Sequence, residues 1–275
     1  RGFGVDTSCI VRKPGRMGIY YLETGAVQRA SMVIYDRAHS AIAEAKASDI
    51  DWEKAFDGAD WFHITGITPA ISAGAAELSL TAVKTAKKLG LHVSCDLNYR
   101  KNLWKYGKTA DQVMTELVQY VDTIIANEED FQKSLLLKAE SLSAVESGEL
   151  NVEQYKAIAK LAMDKYKNVK RVAITLRESK SANHNDWSAC LYNGKDFFIS
   201  RKYAITDIVD RVGGGDSFGA GLIYGLNHYA DEQAALEFAV AASCLKHTVS
   251  GDFNRVSVPD VEGLVKGSGS GRVQR

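Results

Sequence analysis

Three consecutive glycines at 213–215 constrain this chain more than any other feature of its sequence. A backbone without Cβ atoms can adopt positive φ, and a bulky group can come close to its N–H groups. The residues that follow, 217–226, are small or apolar and predict a buried helix. A glycine turn that opens a helix presents N–H groups at the positive end of the helix dipole, and this arrangement binds anions.

Asp216 stands in the first turn of that predicted helix. It is either a capping residue behind a flexible turn or a catalytic base beside a bound phosphate. The pattern around it is neither the G-x-x-x-x-G-K-[ST] phosphate loop nor the dinucleotide motif G-x-G-x-x-G. The residues alone leave both roles open for Asp216.

Composition excludes several classes of partner. The 34 Lys and Arg residues balance 34 Asp and Glu residues, so the chain offers no strong field to nucleic acid or anionic lipid. No apolar run approaches the ~18 residues that a membrane-spanning helix needs. The four cysteines show no C-x-x-C spacing, which argues against a zinc site or a disulfide framework. We therefore expect a cytoplasmic protein that binds neither nucleic acid nor membrane.

From residue 61 onward, predicted strands alternate with predicted helices. This alternation predicts a parallel sheet covered on both faces, with ligands bound outside the carboxyl ends of the strands. The strands are predicted at 61–65, 91–96, 123–126 and 172–176. Polar segments follow them directly, at 66–68, 98–100, 127–128 and 175–177, and we expect these to share one edge with the glycine turn.

Other segments carry local predictions. Asn193-Gly194 is typical of a type I′ turn and predicts a hairpin between strands at 187–192 and 195–200. Helices are predicted at 72–89, 151–166 and 231–247, with Asn151 as the cap of the second. Residues 138–150 are polar and predict a surface loop, and 267–271 resemble a linker or a loose tail.

Residues 1–40 predict a small β-sheet, with strands at 5–12, 18–23 and 31–36. Tyrosines and arginines are interleaved along it. The sheet is either an ordinary one with solvated arginines or a lid whose inner face binds an anion. We divide the chain into this lid, 1–40, and an α/β core, 41–275.

The segment from Asp210 to Phe218 reads D-R-V-G-G-G-D-S-F and resembles the signature D-T-x-G-A-G-D-x-F of the ribokinase-like (PfkB) carbohydrate kinases. It has Arg211 in place of Thr and Gly214 in place of Ala. Within that family it is most similar to the 2-keto-3-deoxygluconate kinases. The resemblance implies a ribokinase-like three-layer α/β sandwich around a mostly parallel sheet, with a small β-sheet lid. It also implies ATP as the phosphate donor and Mg²⁺, bound together with ATP, as the metal cofactor.

The resemblance assigns roles around the glycine turn. Asp216 corresponds to the general base, and the N–H groups of Gly213, Gly214 and Gly215 correspond to an anion hole. The family places N-x-x-E near the waters of Mg²⁺, and the matching positions here are Asn127, Glu128 and Asp130, with Asp at the fourth position instead of Glu. These three residues are predicted to act on the metal indirectly.

Further positions follow from the same resemblance. The substrate-binding residues are predicted to be Tyr20, Tyr35, Arg37, Ile67, Arg100, Asp216 and Asp252. The nucleotide-binding residues are predicted to be Asn98, Arg100, Thr175, Arg177, Lys180, Gly213, Gly215 and Asn254. The two glycines of the family's nucleotide segment T-x-G-x-x-G are absent from the stretch that contains Thr175.

Arginines together with tyrosines in a lid suit a substrate that has a carboxylate and several hydroxyls. We therefore predict a kinase that phosphorylates the terminal hydroxyl of 2-keto-3-deoxygluconate. The alternatives are a fructokinase- or ribokinase-type enzyme acting on a neutral sugar and an inactive protein that binds sugar or nucleotide. Lid sheets of such kinases often pair between subunits, which predicts a homo-oligomer. The family's first strands and G-G-x-x-x-N loop would precede Arg1, so we expect the given sequence to lack an N-terminal portion.

Overall fold

The structure is a computed structural model that describes residues 2–138 and 152–267. The chain folds into two compact units. The first consists of residues 2–22, 33–138 and 160–172, and the second of 23–32, 152–159 and 173–267. The cap predicted at Asn151, almost all of the loop predicted at 138–150, and the tail after residue 267 lie outside the described residues.

A two-stranded sheet stands at the start of the chain. It pairs β1 (Ile19–Glu23) with β2 (Met32–Asp36), close to two of the three strands predicted there. The third prediction, a strand at 5–12, is wrong because that segment is an exposed loop. Its β-branched residues are typical of a strand, but Val5 and Ile10 are 62% and 55% exposed, and the segment belongs to neither sheet of the described residues.

The first unit contains three parallel strands: β3 (Trp61–Thr65), β4 (His92–Asp96) and β5 (Thr123–Ala126). All three strand predictions are confirmed. The register pairs Thr65 with Asp96 and Asp96 with Ile125, so the carboxyl ends of the strands lie side by side. All four residues of β5 are buried, as expected for a central strand of a covered parallel sheet.

Helices connect these strands. The first unit contains α1 (Trp52–Phe56), α2 (Ile67–Ile71), α3 (Ala73–Lys88), α4 (Ala110–Leu117) and α5 (Glu128–Leu135), and α6 (Val152–Lys165) runs into it from the second unit. The predicted start of α3 at Ser72 is confirmed, because its hydroxyl accepts the Ala75 N–H at 3.0 Å. Helix α2 was not predicted. Its Pro69 is compatible with a helix because N–H groups of a first turn need no intrahelical acceptor.

The second unit contains most of β6 (Arg171–Ser179), which begins in the first unit next to β5 in the sheet order. It is followed by β7 (Asn185–Tyr192), β8 (Phe197–Ile199) and β9 (Tyr203–Ile205), and β7 pairs antiparallel with both β8 and β9. The predicted hairpin is confirmed.

The predicted turn type of that hairpin is wrong. Because Tyr192 pairs with Phe197, the connection has four residues, and of these Gly194 alone has positive φ. A type I′ turn needs positive φ at both central residues. Instead, the Asn193 side chain accepts the N–H groups of Lys195 and Asp196, at 3.0 and 2.7 Å, and the Asn193 N–H donates to the Asp196 carbonyl at 3.2 Å.

Three helices complete the second unit: α7 (Gly214–His228), α8 (Glu232–Lys246) and α9 (Val258–Val265). Glycines let α7 approach α8 closely. A Cβ added at Gly221 would lie 2.9 Å from the Cα of Ala239, and one added at Gly225 would lie 2.7 Å from the Cα of Ala235. The two helices therefore pack backbone to backbone, which fixes the position of α7 and of the turn at its start.

The architecture is a mixed α/β fold with a mostly parallel main sheet and a separate small sheet, which confirms the predicted fold class. Among the helices of the described ranges, none combines the length and apolar character that crossing a membrane requires.

Candidate active site

Gly213 is the residue on which the glycine turn depends. It is the N-cap of α7 and adopts φ 77° and ψ 4°, in the left-handed region. A Cβ at this position would overlap the carbonyl oxygen of Asp252. Both the backbone conformation and the close approach of the 249–254 loop therefore require glycine.

The other two glycines differ from each other. Gly214 is buried: its N–H donates to the Arg211 carbonyl at 3.3 Å, and an added Cβ would lie 2.9 Å from Cε1 of His247. Gly215 is exposed, and an added Cβ would meet no atom within 4 Å among the described residues. Neighbouring atoms thus leave no space beside the turn at Gly213 and Gly214, whereas Gly215 faces open space.

Asp216 is exposed in the first turn of α7, next to the open side of the turn. The N-cap position belongs to Gly213, and α7 has no side-chain cap hydrogen bond. The structure therefore excludes the capping role that the sequence left open for Asp216. Its carboxylate is available to the solvent side of the turn.

Asp210 ties the glycine turn to the loop at 249–254. Its Oδ1 accepts the Val212 N–H, and its Oδ2 accepts the Gly251 N–H, both at 2.9 Å. In the same loop, Asn254 donates its side-chain N–H to the carbonyl of Ala242 in α8 at 3.0 Å. The structure therefore brings two predicted site residues, Gly213 and Asp252, into contact and anchors a third, Asn254, to α8.

His247 packs under the turn, in a segment whose resemblance to the family places it near the site, although no role was predicted for this residue. Only 3% of its surface is exposed, and its Nδ1–H donates to the Ser243 carbonyl at 2.7 Å. Ser243 in turn donates its hydroxyl to the Gly214 carbonyl at 2.7 Å. Burial lowers the pKa of His247. A neutral imidazole therefore supports the backbone of the turn.

The predicted nucleotide residues of β6 lie in a polar part of the second unit. Thr175 is half-buried, and Arg177 is exposed. Lys180 forms ion pairs with Glu178 at 3.5 Å and with Asp186 at 3.4 Å. Because these carboxylates already balance its charge, a phosphate would have to replace them to bind Lys180.

In the first unit, hydrogen bonds join the ends of β3 and β4. The Asn98 side chain donates to the Thr65 hydroxyl at 3.3 Å, and the Asn98 N–H donates to Asp96 Oδ1 at 3.2 Å. Asn98 has φ 40°, a left-handed conformation that costs energy in most residues but that Asn tolerates. The half-buried Ile67 opens α2 immediately after β3. The prediction that the segments after these two strands lie close together is confirmed.

Asp130 joins the same network from α5. Its Oδ1 accepts the Tyr99 N–H, and its Oδ2 accepts the Asn127 N–H, both at 2.8 Å. Burial raises the pKa of Asp130, while these two N–H groups and the nearby Arg100 oppose that rise. The Arg100 guanidinium is held in turn by the Tyr99 carbonyl at 2.8 Å. Asp130 is therefore the residue that fixes the loop containing Asn98, Tyr99 and Arg100.

Metal binding by the segment after β5 remains a prediction. Asn127 and Glu128 are half-buried, and burial raises the pKa of Glu128. Asp130 is buried and uses both carboxylate oxygens on backbone N–H groups. Within the described ranges, no three His, Cys, Asp or Glu residues are grouped closely enough to hold a metal ion by themselves.

The lid sheet contains two of its predicted residues, and the third follows β2 directly. Tyr20 in β1 and Tyr35 in β2 are half-buried, and the Arg37 guanidinium lies 5.0 Å from the centre of the Tyr35 ring. Two other lid arginines are paired, Arg16 with Asp36 and Arg29 with Glu23, each at 2.6 Å. For Arg37, no carboxylate partner is found in the part of the chain that the structure describes.

A model of the pfkB family of carbohydrate kinases matches residues 1–258 of the chain. The chain belongs to this family. As a pfkB-family member it is a sugar kinase, which confirms the class of enzyme predicted from the glycine turn and its resemblance.

Individual proteins are similar to this pfkB-family chain over most of its length. The 2-dehydro-3-deoxygalactonokinase of Haloferax volcanii is 30% identical to it over 273 residues, which are 98% of this chain and 77% of that protein. The crystal structure of 2-dehydro-3-deoxygluconokinase from Thermotoga maritima is 49% identical, with a TM-score of 0.88, over 97% of this chain and 78% of that one. Ribokinase from Thermotoga maritima has a TM-score of 0.58 at 21% identity, over 93% of this chain and 72% of that one, and this similarity supports the fold alone.

Proposed function

We propose that this pfkB-family kinase transfers the γ-phosphate of ATP to the terminal hydroxyl of 2-keto-3-deoxygluconate. The observation that carries the proposal is the glycine turn. It is sterically closed at Gly213 and Gly214 and open at Gly215, with the exposed Asp216 carboxylate next to the opening.

The chemistry requires a group that accepts the hydroxyl proton and donors that stabilise charge on the moving phosphate. Asp216 is the proposed base. The N–H groups of the first turn of α7 are the proposed donors, because they have no acceptor within the helix and lie at its positive end. Gly214 already donates to Arg211, so Gly215 offers the most accessible of these groups. Arg100 is proposed to contact substrate and nucleotide phosphates.

A sugar acid is the proposed acceptor because the lid combines hydroxyl donors with an arginine that lacks a carboxylate partner among the described residues. Tyr20, Tyr35 and Arg37 are proposed to bind it, with Ile67 and Asp252 completing the pocket. The Thermotoga maritima relative supports the gluconate form. The Haloferax volcanii relative supports its C4 epimer, 2-keto-3-deoxygalactonate, as a second candidate.

ATP is proposed to bind through Asn98, Arg100, Thr175, Arg177, Lys180, Asn254 and the glycines at 213 and 215. Mg²⁺ would neutralise charge on its phosphates. The oxygen atoms of Asn127 and Glu128 suit the water shell of this metal, since Mg²⁺ prefers oxygen ligands and keeps several waters. Asp130 has both oxygens engaged, so its proposed part is to hold Asn127 in place.

We also propose that residues 1–40 act as the lid on a core formed by 41–275 and that lid sheets pair in a homo-oligomer. The exposed apolar side chains of the sheet favour such pairing: Ile19, Tyr21, Met32 and Ile34. Sedimentation velocity over a range of protein concentrations tests the assembly.

The decisive experiment is coupled ATP turnover on 2-keto-3-deoxygluconate, 2-keto-3-deoxygalactonate, gluconate and fructose, with the unchanged chain and with Asp216→Asn. We expect turnover of a keto-deoxy acid alone. In the variant, kcat should fall ~10²–10⁴-fold because the base is lost. Asp111→Asn, which also changes an acidic residue in the first turn of a helix, should leave kcat unchanged.

Turnover of fructose at a comparable rate would favour a neutral-sugar kinase. Absence of turnover on every sugar, with ligand binding that survives Asp216→Asn, would favour a binding protein without catalysis.

A further inference from the structure

We propose that Lys246 is a positioning residue for phosphate transfer, whose buried ammonium acts as a built-in monovalent cation beside the glycine turn. This inference rests on the proposed function, because it assigns Lys246 a part in holding the turn that binds the moving phosphate.

Lys246 ends α8 and has 0% of its surface exposed. Lysine is almost never fully buried unless its charge is paired. Here Nζ donates to the Val249 carbonyl at 2.9 Å, and the carboxylates of Asp210 and Asp252 favour its charged form. Burial lowers the pKa of Lys246 against the effect of these two groups. A fully buried ammonium that donates to one carbonyl, and whose charge two carboxylates favour, acts as a cation attached to the chain.

The partners of Lys246 are the groups that shape the turn. Val249 and Asp252 belong to the loop whose backbone closes over Gly213, and Asp210 binds that loop through Gly251 and the turn through Val212. The Lys246 side chain also comes close to the turn itself, because its Cε would lie 3.5 Å from a Cβ added at Gly213. Lys246 therefore opposes the negative charge of Asp210, whose carboxylate bonds both the turn and the loop, and that of Asp252 in the loop.

Two consequences follow for phosphate transfer. Without the ammonium, Asp210 and Asp252 would place unbalanced negative charge beside a site meant for an anion, and their repulsion would loosen the loop. With it, a fixed positive charge adds to the helix dipole at the position where charge develops on the phosphate. Lys246 does not need to touch the phosphate to have either effect.

The test replaces Lys246 by methionine, which fills the space of the aliphatic stem and removes the ammonium with its charge. In choline chloride, Lys246→Met should lower kcat ~10²-fold, comparable to the loss of one donor at an anion hole, with a smaller change in the KM for ATP. Ammonium or potassium chloride should then restore kcat at least several-fold, because the Val249 carbonyl loses its donor and the charges of Asp210 and Asp252 favour a cation in the vacated space. The unchanged chain should not respond to these salts.

Lys87→Met is the matched control, since the Lys87 ammonium donates to the buried carboxylate of Asp122 at 2.7 Å in the first unit. It should lose stability while keeping kcat below its melting temperature, and it should show no response to ammonium. An unchanged kcat in Lys246→Met, or a loss of kcat that no cation relieves and that parallels the loss of stability, would overturn the proposal.

If Lys246→Met does not fold, the double variant Lys246→Met/Asp210→Asn removes the ammonium together with one of its carboxylate partners. It should fold, keep the loss of kcat and respond more weakly to cations. If the unchanged chain turns over no sugar, the proposed function fails by itself. The role of Lys246 is then decided by titration with inorganic phosphate, observed on the backbone amide signals of residues 213–216. Weaker binding in Lys246→Met that ammonium restores supports it, and equal binding refutes it.

Discussion

The glycine turn and the lid sheet both carry predicted site residues, but they are built in opposite ways. In the turn, backbone atoms determine the shape, since Gly213 lies against a carbonyl and Gly214 against a buried imidazole. In the lid, side chains determine it: the two strands expose much of their surface, and Arg37 is placed by stacking on Tyr35.

This difference indicates which property of the kinase each region controls. A turn fixed by close backbone contacts holds groups for a reaction step that every substrate shares. A sheet shaped by exposed side chains can change its binding preference without a change of fold. We therefore expect substitutions in the turn to act on kcat and stability, and substitutions in the lid to act on KM for the sugar.

The largest effect is expected for Gly213→Ala. The added methyl must displace the Asp252 carbonyl and occupy a left-handed backbone conformation, which costs roughly 1–3 kcal/mol. Displacement of the anion hole should lower kcat ~10²–10³-fold. Urea unfolding and coupled turnover measure the two losses.

Gly215→Ala is the paired variant, because its methyl enters open space. Its stability should be equal or higher, since alanine is the better helix former, by up to ~1 kcal/mol. Equal losses of stability in both variants would contradict the conclusion that Gly213 is sterically confined and Gly215 is not.

A smaller effect, confined to substrate binding, is expected for Arg37→Ala. Loss of a hydrogen-bonded ion pair with a sugar carboxylate costs about 1.5–3 kcal/mol, which corresponds to a KM roughly 10–100-fold higher. Stability should stay within about 0.5 kcal/mol, as for most surface changes. Arg29→Ala, which breaks the exposed pair with Glu23, should leave both KM and kcat unchanged.

The smallest expected effect is on the pH dependence of folding stability, through His247 under the turn. Because the pKa of His247 is lowered in the folded chain, the unfolded chain takes up the proton first when the pH falls below about 6.5. Folding stability must therefore decrease on acidification, by about 1.4 kcal/mol for each unit of pKa lowering. His247→Asn keeps a donor for the Ser243 carbonyl and cannot take up this proton.

Urea midpoints at pH 7.5 and 5.5 should consequently differ less in His247→Asn than in the unchanged chain. The other histidines are the same in both proteins, so the comparison isolates His247. Equal pH dependence in both would contradict the buried, neutral imidazole.

Much of the fold could be predicted because buried segments are recognisable from their own sequence. The strands Trp61–Thr65 and Thr123–Ala126 were predicted to the residue, since a short apolar run between polar segments is typical of a covered parallel sheet. Ser72 was recognised as the start of α3 because a serine hydroxyl can accept one of the N–H groups that have no acceptor within the helix.

The features that the sequence does not reveal have a physical reason in common: the deciding partner is distant in sequence. The strand predicted at 5–12 contains β-branched residues typical of a strand, but the segment pairs with neither sheet of the described residues. Asp130 looks like an acidic first turn, and its bond to the Tyr99 N–H spans 31 positions. Lys246 resembles any lysine near the end of a helix, because nothing local shows that Asp210 balances its charge.

The close packing of α7 on α8 also sets how the sequence of α7 can vary. Gly221 and Gly225 lie one turn apart and face Ala239 and Ala235 of α8, while Gly213 and Gly214 close the turn at its start. Each of these four positions has no room for even one additional carbon. Substitutions that α7 tolerates must therefore fall at other positions. Few different sequences can form the helix that presents Asp216.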